Sequence, residues 1–151
     1  MYKRQGEEVG PESIRDAILE LGAERIGHGT SAIQDSSLMD LLKERDIPLE
    51  ICPTSNVVTG KYVRSYKEHP IKDFMKHGIM ATLNTDDPVL FDVELNEEYG
   101  RAADKIGLGE AGALDLLRNG VRATFMDKKR KKTALAKLES AIKAAAVPIQ
   151  H

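Results

Sequence analysis

The chain has 151 residues, and 22 lysines and arginines against 24 aspartates and glutamates leave a formal net charge of −2. This balance disfavours a nucleic-acid-binding protein, which usually carries a strong basic field, and no apolar run approaches the roughly 20 residues that a membrane-spanning helix needs. With Cys52 as the one cysteine, neither a disulfide scaffold nor a multi-cysteine zinc site fits, so we expect a folded cytoplasmic protein with no nucleic-acid or membrane partner.

The first half of the chain alternates helical and extended patterns. Apolar residues recur at helical spacing over residues 14–21, which predicts an amphipathic helix, and the short segment 24–28 predicts a strand. Asp35 or Ser36 can cap a second helix. A second strand is predicted over 48–52, and the polar segment from Thr54 to Gly60 predicts a surface loop.

The second half becomes increasingly helical. Pro70 opens a predicted helix that ends at Gly78. The apolar run 79–83 is typical of a parallel strand covered on both faces. Three further helices are predicted, at about residues 95–106, 110–122 and 130–146.

The alternation of strand and helix predicts a parallel α/β architecture. Strand ends near His28, Cys52 and Leu83 are about 24 to 31 residues apart, close to the spacing in an eight-unit barrel, although a doubly wound sheet has similar spacing. Polar clusters follow each strand, which favours the barrel. A Rossmann phosphate loop is disfavoured, since residues 6–10 follow no predicted strand and lack the required glycine spacing.

His28 is a candidate acid, base or electrostatic group, because its glycine neighbours would let a ligand approach the imidazole. Alternatively, the glycines only allow a bend. Asp86 and Asp87 could serve as a metal ligand and a substrate acceptor. A capped turn, in which aspartate side chains accept from backbone amides, explains this pair at least as well.

The remaining candidates have simpler interpretations when taken alone. Glu7 is typical of a solvated glutamate, and Cys52 is expected in the core. His69 and His77 are expected at helix ends. The basic run 128–132 indicates a solvated helix start.

Several motifs, taken together and in order, resemble the adenosine deaminase family. They are Gly-Pro-Glu-Ser (10–13), Glu-Arg-Ile-Gly-His-Gly (24–29), Glu-Ile-Cys-Pro-Thr-Ser-Asn (50–56), Thr-Gly (59–60), His-Pro (69–70), Leu-Asn-Thr-Asp-Asp-Pro (83–88) and Glu-Tyr (98–99). The resemblance implies an incomplete barrel, the C-terminal portion of a (β/α)8 TIM barrel, roughly strands 6 to 8 with their helices. It would form a single partial domain over residues 1–151, with residues 1–5 atypical.

The resemblance also implies hydrolytic deamination of adenosine or deoxyadenosine by a zinc-activated water. Asp86 would ligate zinc, and His28 would stabilise the attacking water. Glu7 would protonate ring N1 of the purine. Gly6 would bind the purine through its backbone, and Asp87 would share a proton at N7.

The chain departs from the family pattern at the metal. It has no His-x-His motif, and Arg4 stands where a further zinc histidine is expected, although a guanidinium has no lone pair to offer. The resemblance therefore implies a truncated deaminase with an incomplete zinc site, inactive alone. Its expected partners are a purine nucleoside and either a second copy or a complementing N-terminal half-barrel. The alternatives are a non-catalytic purine-binding or assembly fragment and an adenine deaminase.

Overall fold

The computed structural model describes the backbone of residues 2–5 and all of residues 9–145. Its sheet has four parallel strands in chain order: β1 (Tyr2–Gln5), β2 (Arg25–His28), β3 (Leu49–Ile51) and β4 (Ala81–Leu83). Each strand pairs with the next one along the chain, without the reversal that marks a doubly wound sheet. The predicted parallel α/β architecture is confirmed.

Strand β1 corrects the prediction of three strands, and with it the prediction that residues 6–10 follow no strand. Tyr2–Gln5 pairs in parallel with β2, and Gln5 lies opposite His28. The sequence of β1 has no apolar alternation, so no local pattern indicates a strand. The neighbouring strand supplies the hydrogen-bonding partners that make this segment extended.

Six of the seven described helices follow the predicted order. In the part of the chain that the structure describes the helices are α1 (Pro11–Leu19), α2 (Ser36–Glu44), α3 (Pro53–Thr59), α4 (Ile71–His77), α5 (Leu95–Asp104), α6 (Gly109–Arg122) and α7 (Lys128–Ala145). Helix α3 is the one that was not predicted. The basic run opens α7, as expected of a helix start. None of the described helices is long and apolar enough to cross a membrane.

One hydrophobic core joins the sheet to its helices. Ile26, Leu49 and Ile51 of the strands are fully buried, as are Leu38 of α2 and Phe74 of α4. Burial of one such side chain contributes roughly 1.5–3 kcal/mol. The core therefore fixes the strands, and their carboxyl ends meet at one edge of the sheet.

Helix α3 occupies the segment that was predicted to be a surface loop. Pro53 lies in its first turn, where a missing N–H costs nothing, and Gly60 ends it with a left-handed φ of 66°. Thr54, Ser55 and Asn56 are buried. The prediction of a surface loop was wrong because polar side chains can be buried when they have hydrogen-bond partners. Each of these three side chains has such a partner within the fold.

Candidate functional site

His28 and Asp86 lie together at the carboxyl edge of the sheet. His28 ends β2 and Asp86 follows β4, and His28 Nε2 is 3.9 Å from Asp86 Oδ2. Both residues have left-handed backbones, with φ of 59° and 61°. This conformation costs a non-glycine residue roughly 1–2 kcal/mol and is concentrated at functional sites. Both residues therefore combine a strained backbone with side chains that approach each other across the ends of β2 and β4.

Gly29 explains part of the glycine pattern around His28. Its φ is 68°, and a Cβ at this position would lie 2.7 Å from Leu49 Cδ2. The turn and the packing against Leu49 therefore require glycine here. The predicted bend is present, and His28 is in addition a buried residue with polar partners.

The first turn of α3 contacts both candidate groups. Ser55 Oγ donates to Asp86 Oδ2 over 2.9 Å, and the amide of Asn56 approaches His28 Nδ1 at 3.0 Å. The sequence marks residues 54–56 only as a polar cluster after a strand. Which strand end each side chain contacts is visible only in the fold.

A buried carboxylate anchors this turn of α3. Glu98 of α5 is fully buried and accepts the backbone N–H of Thr54 at 3.1 Å, and it also accepts the Thr54 hydroxyl. Arg101 donates to Thr54 Oγ1 at 2.7 Å and to Glu98 at 3.0 Å. The Tyr66 hydroxyl completes the cluster at 2.8 Å from Thr54 Oγ1. Glu98 thereby sets the position from which Ser55 and Asn56 contact the site.

His69 begins a hydrogen-bonded series that ends at His28. Its Nδ1 accepts the backbone N–H of Ile71 at 3.2 Å, which confirms the prediction of a helix-end residue. Its Nε2 lies 3.3 Å from Asn56 Oδ1. Burial lowers the pKa of His69 to about 4, so its imidazole is neutral at neutral pH. We call His69, Asn56 and His28 the histidine network.

The other predicted site residues are placed apart or are not described. Asp87 is exposed, and its Oδ1 accepts the backbone N–H groups of Val89 and Leu90 at 3.1 and 2.9 Å, as expected of a capped turn. Gly6 and Glu7 lie outside the described residues. The roles assigned to all three from the resemblance stay predictions.

A cleft of about 310 Å³ opens beside Asp86. Its lining consists of Glu50, Cys52, Leu83, Asn84, Thr85, Asp86 and Leu95. Cys52 is buried, as expected of a core residue. His77 lies at the end of α4, as predicted, and its Nε2 is 2.7 Å from Asp40 Oδ1. It belongs to neither the cleft nor the histidine network.

The donor set at this edge falls short of a zinc site. Among residues 9–145, no three histidine, cysteine, aspartate or glutamate side chains cluster as metal ligands. A catalytic zinc needs about three protein ligands and an open position. Asp86 could supply one carboxylate, so the described residues do not fit zinc by themselves.

Comparisons with known proteins cover most of the chain. The model of the adenosine deaminase family matches residues 3–141. The chain is 52% identical to aminodeoxyfutalosine deaminase of Streptomyces coelicolor over 122 aligned residues. The aligned region covers 81% of this chain and 31% of that protein. It is 47% identical over 128 residues to adenosine deaminase of Serratia proteamaculans, 85% of this chain and 38% of that protein.

The fold agrees with these sequence matches. The crystal structure of adenine deaminase from Arthrobacter aurescens superposes with a TM-score of 0.88 at 26% identity, over 94% of this chain and 43% of that one. The chain thus spans only about a third of the length of the curated relatives it matches. Because the family model extends over nearly the whole chain, we conclude that the chain belongs to the adenosine deaminase family.

Proposed function

We propose that this chain is the C-terminal part of a purine deaminase, with adenosine or deoxyadenosine as substrate. The observation that carries this proposal is the meeting of His28 and Asp86 at the carboxyl edge of a parallel sheet, each held by α3. Parallel barrels build their active sites at this edge. We assign β2–β4 to the last three strands of a (β/α)8 barrel and β1 to the strand before them.

The reaction replaces an amino group by oxygen. The oxygen of a water bonds to C6 of the purine, and the bond from C6 to the amino nitrogen breaks. One proton of that water goes to the amino group, which leaves as ammonia, and the other restores the proton that Glu7 gives to N1. We assign His28 to hydrogen bond the attacking water and Glu7 to protonate ring N1. Gly6 and Asp87 would hold the purine ring.

We propose that zinc binds only when residues from outside this chain complete the site around Asp86. When bound, the metal would lower the pKa of its water, and Asp86 would supply one ligand. The other ligands would come from a complementing N-terminal half-barrel or from a second copy of the chain.

The substrate is proposed as a nucleoside, and two alternatives remain. The names of the matched proteins specify adenosine, adenine and aminodeoxyfutalosine, so an adenine deaminase is one alternative. A non-catalytic purine-binding or assembly fragment is the other. We propose the cytoplasm as its compartment, since Cys52 is a free buried thiol.

Reconstitution tests the proposed function. The chain is co-expressed with the part of Serratia proteamaculans adenosine deaminase that precedes the matched region, and ammonia release is measured with adenosine, adenine and aminodeoxyfutalosine. We expect a stable pair that binds zinc and deaminates adenosine, whereas the chain alone binds no stoichiometric zinc and is inactive. Asp86→Ala should lose zinc and activity together.

Three outcomes would decide against the proposal or in favour of one of its alternatives. A pair that binds zinc stoichiometrically but deaminates none of the three compounds would contradict it. Purine binding by the pair without turnover would favour the non-catalytic alternative. Turnover of adenine alone would favour the adenine deaminase.

A further inference from the structure

We propose that Asn56 and His69 are positioning residues that hold His28 in the tautomer with its proton on Nε2. His28 then presents an N–H donor, not a basic lone pair, towards Asp86 and the reacting water. The catalytic meaning of this proposal rests on the proposed function. The tautomer itself rests only on the hydrogen bonds of the histidine network.

The backbone N–H of Ile71 determines which atoms of the histidine network donate and which accept. A peptide N–H can only donate, so the N–H of Ile71, 3.2 Å from His69 Nδ1, requires that nitrogen to be unprotonated. A neutral imidazole carries one proton. His69 must therefore carry it on Nε2 and donate it to its neighbour at 3.3 Å, the side chain of Asn56.

The orientation of the Asn56 amide follows from this donor. Its Oδ1 must face His69 Nε2, because the opposite orientation would set an NH₂ group against an N–H. The NH₂ group then faces His28 Nδ1 at 3.0 Å and can only donate to it. The amide assignment, which is normally ambiguous, is fixed here by Ile71.

The orientation of the Asn56 amide determines the tautomer of His28. Its Nδ1 accepts a hydrogen bond, so the proton of the neutral ring lies on Nε2, the nitrogen 3.9 Å from Asp86 Oδ2. A protonated Nε2 can stabilise negative charge on a nearby oxygen. It cannot accept a proton from that oxygen, which excludes His28 in this tautomer as a general base through Nε2.

Burial makes an exchange of donors and acceptors within the histidine network costly. His28, Asn56 and His69 are each 2–3% exposed. Bulk water therefore has little access to replace a missing partner, and a buried donor that faces a donor is costly. A change at Asn56 or His69 should consequently be transmitted to the protonation of His28.

The direct test is nitrogen NMR of the full chain, with histidine and asparagine labelled with ¹⁵N. The chain has four histidines, which single substitutions can assign. We expect His28 to show an unprotonated Nδ1 and a protonated Nε2, with a scalar coupling across the hydrogen bond from Asn56 Nδ2. A protonated Nδ1 on His28 would overturn the proposal without any variant being made.

Substitutions test which residue controls the tautomer. Asn56→Asp replaces the donor by a carboxylate of nearly the same shape, which only accepts, so His28 Nδ1 should become protonated. His69→Ala should leave the amide of Asn56 free to turn and give a mixture of His28 tautomers. His69→Gln, which keeps an N–H donor, should restore the tautomer.

The control is His77→Ala, which removes a histidine outside the network and should leave the His28 resonances unchanged. An Asn56→Asp protein that is folded, as judged by dispersed amide signals, and keeps an unprotonated His28 Nδ1 would overturn the proposal. If Asn56→Asp does not fold, the wild-type coupling decides. None of these measurements needs metal, substrate or turnover, so they fail or succeed separately from the reconstitution test.

Discussion

Uncharged side chains hold the two candidate catalytic residues in place. Ser55 donates to Asp86 and Asn56 contacts His28, from consecutive positions of α3. Groups that orient a metal-binding or acid–base residue contribute to its function without touching the substrate. Ser55 and Asn56 are therefore the first residues to test around His28 and Asp86.

Removal of the Ser55 hydroxyl should leave the Asp86 carboxylate less firmly oriented, because Ser55 donates a hydrogen bond to it. In the reconstituted pair, Ser55→Ala should weaken zinc binding by roughly 10- to 100-fold, the usual effect of losing a group that orients a ligand. Competition with a zinc chelator measures the affinity. Ser37→Ala, which changes a serine hydrogen bonded to Asp35 on the surface, serves as the control. Equal affinities for the two variants would show that Ser55 does not orient a metal ligand.

The buried His69 should make stability depend on pH. Its folded-state pKa of about 4 lies below the ordinary value of 6.5, so between these values the unfolded chain binds the extra proton. The free energy of unfolding should fall as pH decreases through this window, by at most about 1.4 kcal/mol per pH unit. Urea unfolding at several pH values measures it.

Two histidine variants isolate this contribution from that of the carboxylates. His69→Gln should remove the part of the pH dependence that belongs to His69, whereas His77→Gln should keep it. Parallel curves for wild type and His69→Gln would mean that His69 is not held neutral by the fold.

At the level of elements, α3 depends on α5 for its position. The Glu98 carboxylate accepts from the first turn of α3 and pairs with Arg101 at 3.0 Å. Seven residues are too few for a helix to be stable by itself. Tertiary contacts therefore decide where this short helix begins and which way it faces.

Loss of Glu98 should be costly. Glu98→Ala leaves the Thr54 N–H without its buried acceptor and Arg101 without its buried carboxylate, which we expect to lower the free energy of unfolding by about 3–5 kcal/mol. Its neighbour Glu97 is a matched control, because it also pairs with Arg101 but is exposed. Glu97→Ala removes an exposed ion pair and part of a helix cap. It should lower the free energy of unfolding by only about 1 kcal/mol. Similar losses in chemical denaturation would contradict the anchoring role of Glu98.

At the level of the whole molecule, the described sheet is open. β1 and β4 are its outer strands, and each pairs with one neighbour. On the outer side of β4, Asn119 donates to the carbonyl of Ala81 at 3.0 Å. Unpaired strand edges favour association with other chains, and closure into a barrel removes them.

Self-association of the isolated chain should follow from these edges. Sedimentation velocity over a range of concentrations should show oligomers, and the complementing half-barrel should replace them by a 1:1 pair. A monomer that is independent of concentration and unfolds cooperatively would contradict this expectation. The closed pair is the internal control, since it differs only in having its edges covered.

Sequence patterns alone were enough to predict six of the seven described helices to within a few residues, three of the four strands, and the strand ends that carry His28 and Asp86. These features depend on apolar periodicity, proline, glycine and capping residues, all of which act over a few neighbouring positions. The ordered motifs added the family. The Asp86–Asp87 pair, taken by itself, did not distinguish a metal ligand from a turn cap, and the roles of both residues came from the resemblance.

Which polar groups meet depends on the tertiary fold. Ser55 and Asp86 are 31 positions apart, and Asn56 and His28 are 28 apart. No local pattern specifies such partners, because a buried polar side chain is stable only where folding brings a matching donor or acceptor to it. The same reason explains β1, whose extended backbone depends on pairing with β2, and α3, whose polar first turn is buried against the Glu98 carboxylate.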